Sequence, residues 1–265
     1  GYHMAEAGAT PAQEIAFTLA DGIEYVRAAV ASGMDVDEFA PRLAFFFVAR
    51  TTLLEEVAKF RAARRIWARV MREEFGAKNP KSQMLRFHTQ TAGVQLTAQQ
   101  PEVNLVRVAI QGLGAVLGGT QSLHTNSFDE AIALPTAKAA RLALRTQQVL
   151  AYETDVTATV DPFAGSYVVE ALTDIVEEAV YKEFEAISSR GGVLGAMDTM
   201  YQRGKIQEES MYYEHKKHDG SLPLIGVNTY LPREHGGEVA TTIELIRSTP
   251  EEKRQQIANV QTYHV

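Results

Sequence analysis

Hydrogen-bonding side chains are concentrated in three short stretches of the sequence. These stretches are GYHMAEAGAT (1–10), RFHTQTAG (86–93) and GGTQSLHTNSFDEA (118–131). They supply histidines, amides, hydroxyls and carboxylates, which donate to and accept from a polar ligand. The chain contains no cysteine, so thiol nucleophiles and thiolate metal ligands are excluded. No nucleophile–base pair is evident, so the pattern favours ligand binding and electrostatic stabilisation.

Strand-like and helix-like patterns alternate along the first part of the chain. Short runs predict strands at 42–49 and 120–126, and a strand that runs into a polar, Gly-containing loop within 83–93. Helical patterns predict helices at 10–32, 51–74, 102–117 and 136–152. This βα repetition predicts a parallel sheet or barrel. In a (β/α)8 barrel the chemistry lies where strands end, so the segment from Gln121 to Glu130 is expected on the active face.

The number of strands accounts for only part of a barrel. A full barrel needs eight strands and about 250 residues, whereas the sequence offers three strands and the tail of a fourth at Gly1-Tyr2-His3. Beyond about residue 150 the pattern becomes helical, with an isolated apolar stretch at 223–232 and a charged helical tail at 250–260. We therefore predict an α/β fold in which residues 1–155 form the C-terminal half of a (β/α)8 TIM barrel and residues 156–265 form a mainly helical extension.

Composition narrows the class of protein. The chain is 45% hydrophobic and 22% charged, with a net charge of −7, which is ordinary for a globular protein and offers no electrostatic footprint for nucleic acid. No apolar run approaches the length of a membrane span. These features predict a cytoplasmic protein that binds neither nucleic acid nor membrane. The opening residues read as the inside of an element, so we interpret the chain as a piece of a longer polypeptide.

The polar stretches belong to a longer series of uncommon strings. Together with APRLAFFF (40–47), VDPFAGSYVVEALT (160–173) and PLIGVNTY (223–230), they resemble in order and spacing the large-subunit barrel of the adenosylcobalamin-dependent acyl-CoA mutases, which include methylmalonyl-CoA and isobutyryl-CoA mutases. The resemblance covers essentially the whole chain. It implies a run from the end of barrel strand five through strand eight into the extension. It also implies a radical isomerase that rearranges the carbon skeleton of an acyl-CoA.

The resemblance implies roles for the residues that contact the substrate. His3 matches the histidine that hydrogen-bonds the thioester carbonyl, and Tyr2 lies beside the substrate and the adenosyl group. Arg42 is implied to bind the phosphates of coenzyme A, for which a planar, permanently charged fork is well suited. Gln121 and Ser122 are implied to bind the pantetheine arm or the substrate.

A second group of residues is implied to face the cofactor, adenosylcobalamin. Glu6, Gln90 and Glu130 match positions that face the corrin ring and the adenosine ribose, where carboxylates and amides find hydroxyl and amide partners. Taken alone, Glu6 and Glu130 could equally be helix N-terminal charges. We interpret His88, His124 and Asn126 as supporting or structural polar groups.

Missing motifs imply partners for the chain. The Asp-x-His-x-x-Gly signature of the cobalamin domain, whose histidine ligates cobalt, does not occur in the sequence. The cobalt ligand is therefore expected from another domain or subunit, and the chain itself is expected to hold no metal. The N-terminal half of the barrel and a cobalamin-binding subunit or domain are the expected protein partners, in an oligomer.

Several positions depart from the methylmalonyl-specific pattern. Phe87, Ala92 and Val94 stand where such enzymes typically have Thr, Ser and Trp, and Ala5 stands where many have Gln. The changes at these four positions resemble the isobutyryl-CoA-type and some bacterial heteromeric mutases, so the resemblance leaves the acyl group open. Ala44 is a separate departure: it stands where the family often has Ser two residues after the arginine, which removes one hydrogen bond to a phosphate.

Two other interpretations remain open from the residues alone. In the first, the chain is part of a metal-dependent barrel hydrolase with His3, His88 and His124 as strand-end ligands, since imidazole is the commonest protein metal ligand. In the second, it is a non-catalytic fragment that completes a barrel or a subunit interface.

Overall fold

Three parallel strands form the centre of the structure, a computed structural model that describes residues 1–231 and 248–264. The strands are β1 (Phe45–Ala49), β2 (Phe87–Thr91) and β3 (Ser122–His124), and they lie in the order β1-β2-β3. The register aligns Phe46 with His88 and Ser122, and Val48 with Gln90 and His124. Each parallel step is made by a helical crossover, so the predicted α/β class with a parallel sheet is confirmed, and its place in a barrel stays a prediction.

Helices connect the strands and make up the rest of the described chain. The crossovers from β1 to β2 and from β2 to β3 contain the longer helices α4 and α6, and α7 follows β3. In chain order the helices are α1 (Tyr2–Glu6), α2 (Pro11–Ala31), α3 (Val36–Phe39), α4 (Leu53–Glu73), α5 (Pro80–Gln83), α6 (Val103–Leu117), α7 (Ala137–Tyr152), α8 (Tyr167–Ser188), α9 (Gly192–Asp198), α10 (Tyr201–Asp219) and α11 (Pro250–Tyr263), with 3₁₀ turns at Ala40–Arg42 and Gly93–Gln95.

Capping explains where the predicted helices begin. Thr10 accepts a hydrogen bond from the backbone N–H of Gln13 at 3.2 Å, and the Gln13 side chain accepts one from the Thr10 N–H at 3.0 Å. Pro11 occupies the first helical position, where its missing N–H costs nothing. Thr136 caps α7 in a similar way by accepting from the Ala139 N–H. The sequence prediction of both starts is confirmed.

The apolar core lies between the sheet and helices α2, α4 and α8. Phe60, Ala63, Ile66 and Trp67 repeat at helical spacing along α4 and are all buried. Phe87 of β2 stacks on Phe60 with ring centroids 5.1 Å apart. Burying one such side chain fully contributes roughly 1.5–3 kcal/mol. Phe87, one of the departures from the methylmalonyl pattern, is therefore a core residue on the helix-covered face of the sheet.

Two local predictions are wrong. Gly1-Tyr2-His3 was expected as the tail of a strand, but Tyr2 to Glu6 is helical because the N–H of Ala5 bonds the carbonyl of Gly1 at 3.1 Å. The predicted strand at 120–126 is longer than the observed β3. Within 83–93 the expected strand is β2, and the 3₁₀ turn at Gly93–Gln95 begins where a Gly-containing loop was expected.

Ion pairs at the surface add to the apolar packing between the predicted extension and helix α4. Arg65 and Arg69 of α4 both form ion pairs with Glu177 of α8. The turn near Ile225 is held by Arg107, whose Nη2 donates to the Ile225 carbonyl at 2.8 Å. Residues 232–247 and Val265 of the predicted extension lie outside the described residues. Within the described ranges, no helix is both long enough and apolar enough to cross a membrane.

Candidate functional site

One face of the sheet carries two rows of side chains, and all of them except the buried Val48 are at least partly exposed. Side chains alternate between the faces of a strand, so the residues aligned in register form rows across it. The first row is Phe46, His88 and Ser122, and the second is Val48, Gln90 and His124. We call this the open face, because the core helices cover the opposite one. In a barrel, rows of this kind are layers of the interior.

Helix α1 lies against the open face beside β1. The Tyr2 ring stacks on Phe46 with centroids 4.8 Å apart and planes 4° from parallel. The His3 ring lies edge-on to both, at 5.5 Å from Tyr2 and 6.1 Å from Phe46. The ring of His88, on the neighbouring strand, also lies beside Phe46, with the two ring centroids 5.2 Å apart. The structure therefore brings Tyr2 and His3 together with the first row of the open face.

A network of amides marks the carboxyl edge of the sheet, where the strands end. The Gln90 Nε2 donates to Asn126 Oδ1 at 3.0 Å. Asn126 is buried and is itself fixed by Thr91, because its Nδ2 donates to the Thr91 carbonyl at 3.0 Å and its N–H donates to Thr91 Oγ1 at 2.9 Å. These bonds orient Gln90 within the second row. Asn126, two residues after the end of β3, thus has the supporting position that the sequence interpretation gave it.

Gly93 allows the groups of this edge to approach one another. A Cβ added to Gly93 would lie 3.2 Å from Asn126 Nδ2, 3.2 Å from Glu6 Oε2 and 3.5 Å from the Tyr2 hydroxyl. The backbone beside it also takes part, since the Val94 N–H donates to Glu6 Oε2 at 2.9 Å. Tyr2, Glu6 and Asn126 thus converge on one point at the carboxyl edge.

Burial tunes the ionisable groups at this point. The pKa of the Tyr2 phenol is raised to about 12, first by burial and then by the nearby Glu6 carboxylate. Burial also raises the pKa of Glu6, and the Val94 N–H and the charge of Arg50 oppose that rise. Glu130 is exposed but close enough for its charge to raise the pKa of both groups. The second carboxylate oxygen of Glu6 is buried and has no hydrogen-bond partner among residues 1–231 and 248–264, so it can accept a hydrogen bond from a ligand.

The other predicted substrate residues lie at the amino edge, where the strands begin. Gln121 precedes β3, and its side chain is bonded to backbone at both ends: Oε1 accepts from the Phe87 N–H at 2.6 Å and Nε2 donates to the Gly119 carbonyl at 2.8 Å. Arg42 ends the 3₁₀ turn before β1 and is exposed. The expectation that the segment from Gln121 to Glu130 lies together where a strand ends is therefore wrong for Gln121, because β3 begins after it.

The middle of the open face is occupied by a histidine–serine pair. His88 Nδ1 lies 2.7 Å from Ser122 Oγ. Burial lowers the pKa of His88, and the neighbouring His124 lowers it further. His88 is therefore neutral at physiological pH and can offer one donor and one acceptor. Ser122 is the first residue of β3 and lies beside His88 in the first row of this face.

The metal-hydrolase interpretation finds no support in this arrangement. Across residues 1–231 and 248–264, no three histidine or carboxylate side chains are grouped so that they could hold a metal ion. His88 is instead engaged with Ser122.

Sequence reasoning missed a set of buried charged residues beside the site: Glu14, Arg50, Glu56 and Lys59. Their positions carried a signal. Glu56 and Lys59 precede Phe60 and Ala63 on the same stripe of α4, since spacings of three and four residues share one helix face. Arg50 directly follows an apolar strand.

A parallel sheet with helical crossovers, an open polar face and a network at the strand ends defines an α/β segment with a ligand-binding side. The chain belongs to the methylmalonyl-CoA mutase family, whose family model matches residues 1–264. The resemblance inferred from the sequence motifs is thereby confirmed.

Similar proteins carry mutase names with different substrates. The chain is 51% identical over 264 residues to a fused isobutyryl-CoA mutase of Cupriavidus metallidurans, covering 100% of this chain and 24% of that protein. It is 50% identical to the 2-hydroxyisobutanoyl-CoA mutase large subunit of Aquincola tertiaricarbonis, covering 88% of this chain and 42% of the relative. It is also 50% identical to a methylmalonyl-CoA mutase of Rhizobium meliloti, with 87% and 32% covered. The chain thus spans about a quarter of the length of the fused relative.

Proposed function

We propose that this chain forms part of the substrate domain of an acyl-CoA mutase, an isomerase that rearranges the carbon skeleton of a coenzyme A thioester with adenosylcobalamin. The observation that carries the proposal is the packing of Tyr2 and His3 against Phe46 on the open face, 4.8 and 6.1 Å from its ring. A stacked phenol and an exposed imidazole at the end of a polar face suit a reaction that needs orientation, exclusion of water and a donor.

His3 is proposed to stabilise the thioester carbonyl. His3 is exposed and its ring lies edge-on to Phe46, so a ring N–H would be available to a ligand on the open face. A donor aimed at an oxygen that gains negative charge lowers the barrier more than it tightens substrate binding. Tyr2 is proposed to shield this oxygen from water and to hold the acyl group against the sheet.

Coenzyme A is proposed to run along the open face from the amino edge to the carboxyl edge. Arg42 is exposed at the amino edge and would take the phosphates, while Gln121 and Ser122 would take the pantetheine arm. Since Gln121 already bonds the backbone at both ends, it has only its remaining amide N–H and carbonyl lone pair to offer.

The carboxyl edge fits adenosylcobalamin. The buried, unpartnered oxygen of Glu6, the exposed Glu130 and the amide of Gln90 would accept from ribose hydroxyls and corrin amides. When bound, this cofactor supplies the radical that starts the rearrangement. The cobalt ligand, the N-terminal half of the barrel and the cobalamin-binding domain are proposed to come from the rest of the protein or from a second subunit, within an oligomer.

An isobutyryl-type monocarboxylic acyl group is the substrate class we favour. Val94 is exposed at the carboxyl edge of the site and is smaller than the Trp that the methylmalonyl-specific pattern has at this position. Phe87 contributes nothing to this choice, because it faces the core.

Replacing His3 tests the proposal. In the assembled mutase, His3→Asn is expected to reduce kcat by roughly 10²–10³-fold, the usual loss for one preorganised donor, with a small change in KM. The assay follows the isomerised acyl-CoA by mass spectrometry, with isobutyryl-CoA and methylmalonyl-CoA offered separately. His215→Asn, an exposed histidine of α10, is the matched control. If the chain only completes a barrel or an interface, the two variants will have equal activity.

A further inference from the structure

Strand β1 lies at the edge of the sheet, and within the described residues no strand pairs with its outer side. Phe45 and Ala49 face β2, since the Phe45 N–H bonds the Arg86 carbonyl at 2.8 Å and the Ala49 carbonyl accepts from the Ala92 N–H at 2.8 Å. In a parallel pair, alternate residues direct their backbone groups to opposite sides. The backbone groups of Val48 therefore point away from β2.

Buried side chains satisfy these outward groups. Glu14 Oε1 accepts from the Val48 N–H at 2.8 Å, and Lys59 Nζ donates to the Val48 carbonyl at 2.7 Å. Lys59 Nζ also donates to Glu14 Oε2 at 2.8 Å and to Glu56 Oε2 at 2.6 Å. Glu56 Oε2 in turn accepts from the Arg50 N–H at 3.0 Å.

Glu14, Glu56 and Lys59 form a buried cluster of ion pairs, and the charge of Arg50 lies close enough to act on Glu56. Lys59, Glu14 and Glu56 have no exposed side-chain surface, and Arg50 is 8% exposed. Burying ions is costly, and well-packed apolar residues often stabilise a fold as well or better. Stability alone therefore does not account for the cluster, and fixing one geometry is the use that its bonds suggest.

Arg50 carries this geometry to helix α1. Its Nη2 donates to the Ala5 carbonyl at 3.0 Å and to the Ala9 carbonyl at 2.5 Å. These carbonyls lie on either side of Gly8, whose φ of 122° makes the sharp turn from α1 into α2. A helix as short as α1 is not stable by itself, so its position depends on contacts such as these.

We propose that Arg50 is a positioning residue, which fixes helix α1 over the open face and thereby sets Tyr2 and His3 for the mutase reaction. This role in the reaction rests on the proposed function. Glu56, itself held by Lys59, fixes the backbone N–H of Arg50 just after β1, so helix α1 and the strand that carries Phe46 are held in one frame. Substrate binding at the amino edge does not depend on this frame.

Arg50→Lys tests the proposal in the assembled protein. Lysine keeps the charge but replaces the planar guanidinium with a compact, strongly hydrated ammonium. We expect hydrogen–deuterium exchange in peptides covering residues 2–9 to accelerate about tenfold or more, since local opening becomes easier. We expect kcat to fall about tenfold or more through misplacement of His3, with KM for the acyl-CoA held within about twofold. Arg72→Lys, on the exposed side of α4, is the matched control.

The readouts separate this proposal from the proposed function. Faster exchange confined to residues 2–9 supports the positioning role even if no mutase activity is found. Unchanged exchange at these residues, or exchange that rises equally in α1 and α2, overturns it. If Arg50→Lys fails to fold, Arg50→Gln replaces it, because a neutral amide removes the charge while retaining a donor. A rise in KM for the acyl-CoA with kcat unchanged, in either variant, also overturns the proposal.

Discussion

At the amino edge of the sheet Gln121 uses both ends of its amide on backbone groups of Phe87 and Gly119, whereas at the carboxyl edge Glu6 keeps a buried oxygen without a partner. The first arrangement closes the hydrogen bonds that a fold requires. The second leaves a group whose desolvation is not compensated within the described chain. We infer from this comparison that the satisfied amide of Gln121 holds the strands in place, while the open oxygen of Glu6 suits the cofactor site proposed at the carboxyl edge.

The carboxyl edge rests on buried charge, and removing it is expected to have the largest effect. Lys59→Met would leave Glu14 and Glu56 buried without their cation, at a cost of roughly 3–5 kcal/mol in unfolding free energy. Urea denaturation monitored by circular dichroism measures this cost. Lys182→Met, in an exposed pair with Glu178, should leave the midpoint unchanged. A Lys59→Met protein as stable as the parent would remove the contrast between the two edges.

The amino edge is expected to respond in stability more than in cofactor binding. Gln121→Ala would leave the Phe87 N–H without its acceptor, at a cost of roughly 1–3 kcal/mol. Gln90→Ala should cost less stability, because Asn126 keeps its bonds to Thr91, but it should weaken the binding of adenosylcobalamin to the assembled protein. Denaturation and cofactor titration of both variants provide the test. The reverse ranking would contradict the division into a structural and a ligand-binding edge.

Filling the space at Gly93 sharpens the definition of the carboxyl edge. Gly93→Ala would bring a methyl group to 3.2 Å from Glu6 Oε2 and from Asn126 Nδ2, so these side chains must shift. We expect cofactor affinity to fall about tenfold, equivalent to about 1.4 kcal/mol. Gly204→Ala is the control, since an added Cβ there meets nothing within 4 Å. Equal affinities in the two variants would show that this point does not contact the cofactor.

The smallest expected effect is on stability at high pH. Because the pKa of Tyr2 is raised to about 12 in the fold from about 10 in the unfolded chain, its contribution is fully present below pH 10 and is lost as pH rises towards 12. Tyr2→Phe should therefore flatten the decline of unfolding free energy across this range. Tyr201, which donates to Glu183 at 2.8 Å and has its pKa raised to about 12, offers a matched Tyr201→Phe variant in the extension. A decline left unchanged by Tyr2→Phe would contradict the burial of its phenol.

Much of the fold was predictable because local signals agreed with one another. The sequence from Thr10 to Gln13 and the proline before Thr136 predicted two helix starts. The phenylalanine run predicted β1. The start of the chain was not predictable in the same way. Whether Tyr2 continues a strand or begins a helix depends on i to i+4 backbone bonds and on Arg50, a residue far away in sequence.

The site was predictable in its residue types and less so in its layout. Family motifs pointed to Tyr2, His3 and Gln90, which the structure brings to the open face. The division between the edges was not visible, because it depends on where β3 begins relative to Gln121. Lys59 escaped notice because charged side chains in helices are usually solvated, and only its position on the apolar stripe of α4 argues otherwise.

The ion cluster of Glu14, Glu56 and Lys59 at the outer edge of β1 has a consequence for assembly. An exposed strand edge normally invites pairing with any extended segment, including one from another molecule. Beyond Phe46, an incoming strand would have to displace Glu14 and Lys59 from the Val48 backbone groups. The ion cluster therefore limits how far a neighbouring strand can pair with β1. It disfavours a two-residue shift of register in that direction and makes this edge a poor template for pairing by misfolded chains.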